Sequence, residues 1–586
     1  MRRRAPLAIA LALLALAPWV LPVFWVTLLN YIGLASLVVL GLCLMTGIAG
    51  QVSFGQAAFV GLGAYASAVL ATVYGLSPWL GLFAGFALTA AVALVLGAIT
   101  LSLSGHFLPL ATIAWGISLY YVFGNLDIVG GFSGLSGIPP LSLFGFELRS
   151  GQHFYYVIWL CVVLASVAVT WLLDSRNGRA IRALHGNTVM AEAFGIGTAW
   201  LKIQVFMLAA LLASLSGWLY AHMQRFVNPT PFGINIGMEY LFMAVIGGAG
   251  HVGGAIAGST IVILLQQALK DLIPGLLGQS GEAELIAFGL LTILVLHRAQ
   301  GGLWGFVSRA LPHTARRQAV ADAPALPARK LPAAGSPLLS VQSVRKSFGG
   351  LTAVSDVSFG LRAGDIVGLI GPNGAGKTTT FNLITGLMPL SAGEILFQGR
   401  IISGLAARDI ARLGIARTFQ HVRLLGERSV LENVALGAHL HGHAGIARSM
   451  LHLERTEERA LLAHAARQLA RVGLEDDMHA AAGALPLGKQ RIVEVARALA
   501  ADPVLLLLDE PAAGLRYLEK QQLAEVLRAL RGEGMSILLV EHDMDFVMGL
   551  ADTLVVLDFG TKLAEGEPGD IRNDPAVLEA YLGGVE

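Results

Sequence analysis

Residues 365–387 read DIVGLIGPNGAGKTTTFNLITGL. A short apolar run, Ile366 to Ile370, leads into Gly371-Pro-Asn-Gly-Ala-Gly-Lys377-Thr378, and a helical pattern follows. This is G-x-x-x-x-G-K-[ST] in the strand–loop–helix setting that the motif requires. Gly371, Gly374 and Gly376 let backbone N–H groups turn inward around phosphate oxygens, and Asn373 and Thr379 belong to the same loop. The helix N-terminus adds positive potential. Lys377 is placed to reach the β- and γ-phosphates of ATP, and Thr378 to hold Mg2+.

Further on, VLLLLDEP places Val504 to Leu508 as a buried parallel strand, with Asp509 at its end and Glu510 next. Asp509 is suited to the magnesium shell, and Glu510 to accepting a proton from an attacking water.

The rest of the chain has a different character. Of 586 residues only 13% are charged, against roughly 25% in soluble chains. The mean hydropathy is +0.67. No Asp or Glu occurs before Asp127, whereas the composition from about residue 340 onward is that of a soluble domain. The chain therefore divides into a lipid half and a water half. A net charge of +1 gives no basis for nucleic-acid binding. Cys43 and Cys161 lie in apolar runs and read as small helix residues.

A span needs about 20 mostly apolar residues. Candidates fall near 5–20, 24–46, 54–74, 78–102, 106–124, 154–173, 203–222, 238–254, 255–270 and 283–297, about ten in all. Arginines at 2–4, at 176, 179 and 182, and at 298, 309, 316 and 317 then share the cytoplasmic side. We expect a permease domain over 1–310, a flexible Ala-, Pro- and Arg-rich linker over 311–338, and an ATPase domain over 339–586. Two glycine-rich stretches, 47–65 and 246–254, read as helix breaks. Gln51, Ser53 and Gln56 in the first suit a buried interhelical or pathway role. The triplet His439, His441 and His443 lacks Cys or acidic companions and is not read as a metal site.

With these residues in place, the soluble half resembles the ATPase domain of ABC transporters over essentially its full length. RTFQ (417–420), LLVEHD (538–543), RKSFGG (345–350), LPLGKQ (485–490) and AAGLR (512–516) carry the resemblance. It implies an α/β P-loop ATPase with a helical subdomain, following a multi-span α-helical membrane domain. It further implies that Gln420 senses Mg2+ and the membrane domain, His542 contacts the γ-phosphate, Phe348 stacks on adenine, and Gly488 belongs to the signature loop. GIARTFQHVRLL (414–425), EPAAGL (510–515) and AVLEAYLGG (576–584) narrow the match to branched-chain amino-acid importers. GQVSFGQAAFVGLGAY (50–65), GGFSGLSGIP (130–139) and GRAIRALHGNTVMAEAFGI (178–196) resemble the permeases of those systems.

The resemblance implies ATP-driven amino-acid import across a bacterial inner membrane, in contact with membrane lipid. Urea, short amides or another small polar solute is the alternative cargo. It implies a separate periplasmic solute-binding protein, and a second permease and second ATPase subunit or a second copy of this chain. Residues 186–197 would form the coupling helix, seated near Gln420. One feature departs from the pattern. Pro486 and Leu487 stand where the signature loop has serine and glycine, with the helix expected from near Arg491 and Lys489 close to the phosphates.

Overall fold

The computed structural model describes residues 4–101, 107–143, 145–277, 289–290, 293, 297, 302–305, 323 and 325–582. The chain divides into two compact units. The first comprises Met1–Leu173, Ala199–Thr314 and Met450–His452; the second comprises Asp174–Thr198, Ala315–Ser449 and Leu453–Glu586. The expected span at 283–297 and the first half of the expected linker lie largely outside the described residues.

The first unit is a helical bundle. Its helices are α1 (Arg4–Val20), α2 (Val23–Leu42), α3 (Gln56–Thr72), α4 (Pro78–Thr100), α5 (Phe107–Asn125) and α6 (Gly151–Leu173). After α7 (Arg176–Gly186) and α8 (Thr188–Ala193), which belong to the second unit, come α9 (Thr198–Gln224), α10 (Ile234–Gly247) and α11 (Val252–Leu277). Among the described residues six helices are long and apolar enough to cross a membrane; α3 and α10 are apolar but shorter. Four two-residue strands, β1 (Leu135–Ser136), β2 (Ser142–Leu143), β3 (Phe146–Glu147) and β4 (Phe226–Val227), pair β1 with β4 and β2 with β3 in the connecting segments.

The helix breaks fall where glycine permits close backbone approach. α2 runs into a π-helical turn at Cys43–Ile48, and residues 49–55 are irregular. A Cβ on Gly47 would sit 1.9 Å from the Ala249 carbonyl oxygen, so the two glycine-rich breaks pack on each other. The second break lies at 248–251, within the glycine-rich stretch 246–254, because left-handed Gly248 (φ 103°) ends α10. Gln51 and Gln56 are buried; both amide atoms of Gln51 and Oε1 of Gln56 have no hydrogen-bond partner among the described residues. Ser53, also buried, accepts from the Gly55 N–H at 3.3 Å.

In the second unit, β5 (Pro337–Phe348), β6 (Leu351–Arg362), β8 (Ala392–Phe397) and β9 (Arg400–Ile401) form an antiparallel sheet in the order β6-β5-β8-β9. The larger sheet has the order β10-β11-β12-β7-β13-β14. Its members are β7 (Ile366–Ile370), β10 (Ile415–Arg417), β11 (Leu505–Asp509), β12 (Ser536–Val540), β13 (Thr553–Asp558) and β14 (Thr561–Gly566). All are parallel except β14. The β7, β11 and β12 residues are buried throughout, as uninterrupted apolar strands must be when both faces are covered. The helices are α12 (Lys377–Ile384), α13 (Ala407–Leu413), α14 (Val430–Gly437), α15 (Ile446–Met450) and α16 (Arg455–Arg471). They continue with α17 (Leu487–Leu499), α18 (Tyr517–Gly532), α19 (Met544–Met548), α20 (Pro568–Arg572) and α21 (Pro575–Leu582).

α7 and α8 are built into this unit by polar anchors. Arg176 donates to the carbonyls of His439 and Ala444, both at 2.8 Å. Asn177 donates to Ala444 O and Ser449 Oγ at 2.9 Å. Arg179, 4% exposed in its side chain, forms a two-pronged pair with Glu458 of α16. Asn187 caps α8 by accepting from the Val189 and Met190 N–H groups.

Helix approach in the first unit is set by glycines. A Cβ on Gly217 of α9 would stand 1.9 Å from the Val60 carbonyl oxygen of α3. Gly217→Ala therefore forces α3 and α9 apart, at a cost of about 1–3 kcal/mol. We expect a lower melting temperature in detergent, with Gly250→Ala, whose Cβ meets nothing within 4 Å, unchanged.

Candidate functional site: a nucleotide site at the strand ends

The residues singled out in the sequence stand at the C-terminal ends of neighbouring parallel strands, where open α/β sheets bind ligands. β7 ends in the loop 371–376, β10 precedes Gln420, β11 ends at Asp509 and β12 precedes His542. Three loop glycines have left-handed or otherwise positive φ: Gly371 at 146°, Gly374 at 85° and Gly376 at 93°. At Gly371 a Cβ would lie 2.1 Å from Leu557 O, so space as well as torsion demands glycine there.

Lys377 is buried and its Nζ donates back to Gly371 O at 2.6 Å and Pro372 O at 2.9 Å. Burial lowers its pKa, and the charges of Glu510 and Asp509 partly oppose that. Thr378 is exposed on the first turn of α12, Thr379 is half-buried behind it, and Asn373 is exposed on the loop. Phe348 is 46% exposed at the end of β5, with the Lys346 ammonium 5.1 Å from its ring centre.

Glu510 has a left-handed backbone (φ 47°), which turns the chain sharply off the strand. Its Oε2 accepts from Gln420 Nε2 at 3.0 Å and lies 3.8 Å from His542 Nδ1. The structure thus brings Glu510, Gln420 and His542 together. Asp509 is buried beside them. Its Oδ2 faces Arg417 at 3.5 Å, and its Oδ1 has no hydrogen-bond partner among the described residues. An unpartnered buried carboxylate oxygen suits a hard divalent cation such as Mg2+.

The sequence reading missed the groups that hold these residues. Arg417, buried at the end of β10, donates to Asn382 Oδ1 (2.9 Å) and Thr385 Oγ1 (2.8 Å) and lies over the rings of Phe381 and Phe419. Burial lowers its pKa to about 10. Glu541, buried beside His542, accepts from Ala512 N–H at 2.7 Å and His542 N–H at 3.1 Å, tying the turn after Glu510 to the histidine. On α17, Arg491 donates to the carbonyls of Phe419 (3.1 Å) and Gln420 (2.6 Å). Arg497 donates to Arg423 O (2.7 Å) and Glu494 (3.1 Å), and the Phe194 ring lies 5.1 Å from its guanidinium. The available signal was spacing: Arg491, Glu494 and Arg497 recur at i, i+3 and i+6 on an otherwise apolar helix face.

The signature-like loop differs from its expected form. α17 starts at Leu487, not near Arg491, because Pro486 (φ −57°) sits at the N-cap, where a missing N–H is harmless. Lys489 pairs with Asp477 at 2.6 Å. The atoms nearest a Cβ built on Gly488 all belong to Glu519 of α18. Among the described residues no group of three or more His, Cys, Asp or Glu side chains is placed to hold a metal ion. His439 is held well below its usual pKa by burial and nearby arginines, Arg176 foremost.

Comparison with known proteins settles the family. Residues 24–296 match the family model described as branched-chain amino acid transport system / permease component. Residues 354–513 match the ABC transporter model, and 561–586 the model named branched-chain amino acid ATP-binding cassette transporter. The high-affinity branched-chain amino acid transport ATP-binding protein LivG of Escherichia coli (strain K12) is 45% identical over 250 residues, 42% of this chain and 98% of LivG. The chain belongs to the branched-chain amino-acid ABC transporter family. BraF of Pseudomonas aeruginosa, named as a high-affinity branched-chain amino acid transport ATP-binding protein, is 41% identical over 250 residues, with coverage of 42% and 98%. A solved nucleotide-free ATP-binding cassette from an ABC transporter is 30% identical, covering 42% of this chain and 98% of its own, with TM-score 0.37. In this ABC transporter, permease and ATPase lie on one polypeptide. It is a membrane protein with a soluble ATPase domain that binds ATP and hydrolyses it in transport.

Replacing Arg417 by Met leaves Asp509 buried without its counter-charge, and we expect a loss of about 3–5 kcal/mol of stability. Burial already raises the Asp509 pKa, and Arg417 is the first group opposing that. In the variant the folded state keeps this proton while the unfolded state loses it above the ordinary aspartate value. Stability then falls as pH rises through that window. Melting temperatures of wild type and Arg417→Met should diverge more at pH 7 than at pH 4.

Proposed function

We propose that this chain drives import of branched-chain or related amino acids across the bacterial inner membrane. It takes solute from a separate periplasmic binding protein. Residues 1–310 form the permease and 339–586 the ATPase, with 311–338 as tether; the arginines at 2–4 and 176–182 face the cytoplasm. The observation that carries the reading is one polypeptide matching both permease and ATPase models of this transport type.

In the nucleotide site, Phe348 stacks on adenine. The backbone of Gly371, Asn373, Gly374 and Gly376, with Lys377 and Thr379, holds the phosphates. Lys377 must leave the Gly371 and Pro372 carbonyls to do so, exchanging two neutral acceptors for anionic oxygens. Thr378, Gln420 and Asp509 would hold Mg2+, which supplies charge neutralisation at the β- and γ-phosphate oxygens. Glu510 takes the proton of the attacking water, and His542 orients the γ-phosphate. Gln420 keeps Glu510 aimed until nucleotide arrives, and Glu541 fixes His542 relative to the turn after Glu510.

Gly488 serves the nucleotide of a partner ATPase through the N-terminus of α17. That end carries no side-chain cap and no serine hydroxyl. Pairing with a second permease and a second ATPase confines this altered loop to one of two sites, whereas a homodimer would carry it at both.

Uptake of labelled leucine, a panel of other amino acids and urea tests the reading. A host lacking this chain is complemented with wild type or Glu510→Gln. Wild type should restore leucine uptake, and Glu510→Gln should lower it by about 100-fold or more. Restoration of urea alone would overturn the cargo. Equal uptake by wild type and Glu510→Gln would overturn the assignment of Glu510.

A further inference from the structure

Five helices of the bundle, α2, α3, α9, α10 and α11, wall a cavity of about 560 Å³ together with the segment before α10. That volume lies within the roughly 300–1,000 Å³ of small-molecule sites. The cavity sits toward the starts of α2 and α10 and the ends of α9 and α11. On the sidedness proposed above, this is the external half of the bundle.

Most of the wall is apolar, with Leu34, Phe232, Ile236 and Met243 among its residues. Among the polar side chains that interrupt it are Tyr31, Tyr220, Glu239, Tyr240, Gln266 and Lys270, and Glu239 and Lys270 are the charged ones among the described lining residues. Glu239 is the only acidic residue between Glu192 and Asp271. It is the sixth residue of α10, within an apolar helix. An ionisable group there is expensive unless something pairs with it, and such groups face cavities rather than lipid.

Gln266 and Lys270, one turn apart on α11, line the same cavity as Glu239. Yet no ion pair of 4.0 Å or less joins Glu239 and Lys270 among the described residues. Two opposite charges thus face one largely apolar cavity without neutralising each other directly. A ligand whose own charges are opposite and close together would pair with both at once. An α-amino acid has that form: an ammonium and a carboxylate on one carbon, with a side chain that an apolar wall would take. A neutral solute such as urea needs neither charge.

We infer that this cavity binds the zwitterionic head of an apolar α-amino acid, with the ammonium on Glu239 and the carboxylate on Lys270. The hydroxyls of Tyr31, Tyr220 and Tyr240 and the Gln266 amide supply the remaining hydrogen bonds, and the ligand's side chain lies toward Leu34 and Met243. The inference rests on the amino-acid import reading and assigns it a site in this chain, apart from any binding protein.

The test is equilibrium binding of labelled leucine to the purified full-length chain in lipid nanodiscs, with no binding protein added. Leucinamide, which lacks the carboxylate, and 4-methylpentanoate, which lacks the ammonium, are the competitors. Wild type should bind leucine and discriminate against both analogues. Glu239→Gln and Lys270→Gln should each weaken leucine binding by roughly 10–100-fold, the loss of one charge-assisted contact. Glu239→Gln should lose discrimination against 4-methylpentanoate, and Lys270→Gln against leucinamide. That exchange of preference is not produced by misfolding. Variants that bind leucine within twofold of wild type with unchanged preference overturn the site, as does absence of leucine binding to wild type. Cellular leucine uptake by wild type separates the two ideas. If uptake is present while the variants keep wild-type binding and preference, the site falls and the import reading stands. If uptake is absent, the import reading falls, and the site falls with it.

Discussion

The guanidinium of Arg497 is wholly buried, and groups from several segments of the ATPase unit converge on it. Glu494 supplies the counter-charge, the Arg423 carbonyl an acceptor and Phe194 a ring face. Glu494 in turn accepts from the Arg423 N–H at 3.0 Å and faces Arg491 at 3.6 Å. Arg491 holds the Phe419 and Gln420 carbonyls. A buried charge stripped of its partner costs several kcal/mol, so none of these groups can move far while the others stay. α14 presses on the same place: a Cβ on Gly437 would stand 1.8 Å from Arg497 O. Through this cluster the position of Phe194, just past α8, and that of Gln420, which reaches Glu510, are set by one set of contacts.

What could be read in the sequence, and what could not, follows from where each constraint is local. The loop 371–378, Asp509 and His542 stand out because phosphate chemistry fixes both residue type and spacing within a few positions. The apolar strands announce themselves because VLLLL can only be buried. Arg417 does not, since its partners come from two other segments, Asn382 and Thr385 from α12 and its C-cap and Asp509 from β11, and only the folded sheet gathers them. The start of α17 at Leu487 rather than near Arg491 is hard to read because a proline at the N-cap gives up no helical hydrogen bond. Lys489 was aimed at phosphate for want of knowing that Asp477 would lie beside it. Glu239 carries no motif; its isolation between Glu192 and Asp271 is its one signal in the sequence.

The bundle and the cassette solve the backbone problem differently. In the cassette, strand pairing and helix caps take up backbone groups; Ser429 and Glu432 cap α14 reciprocally. In the bundle the chain twice abandons the helix and presses one break against the other through Gly47 and Ala249. Irregular backbone at such depth is tolerable only where protein surrounds it. Beside this contact Gln51 and Gln56 are buried with amide groups partly unpaired among the described residues.

The anchoring of α7 has a consequence in mass action. Arg176, Asn177 and Arg179 belong to the stretch that joins α6 to α9, while their acceptors lie in the ATPase sequence hundreds of residues later. Between separate subunits, such an interface would need enough affinity to survive dilution. On one polypeptide its closure is unimolecular, governed by an effective concentration that does not fall when the sample is diluted. The contacts can therefore be weak enough to open and reform during a cycle without the ATPase ever being lost to solution.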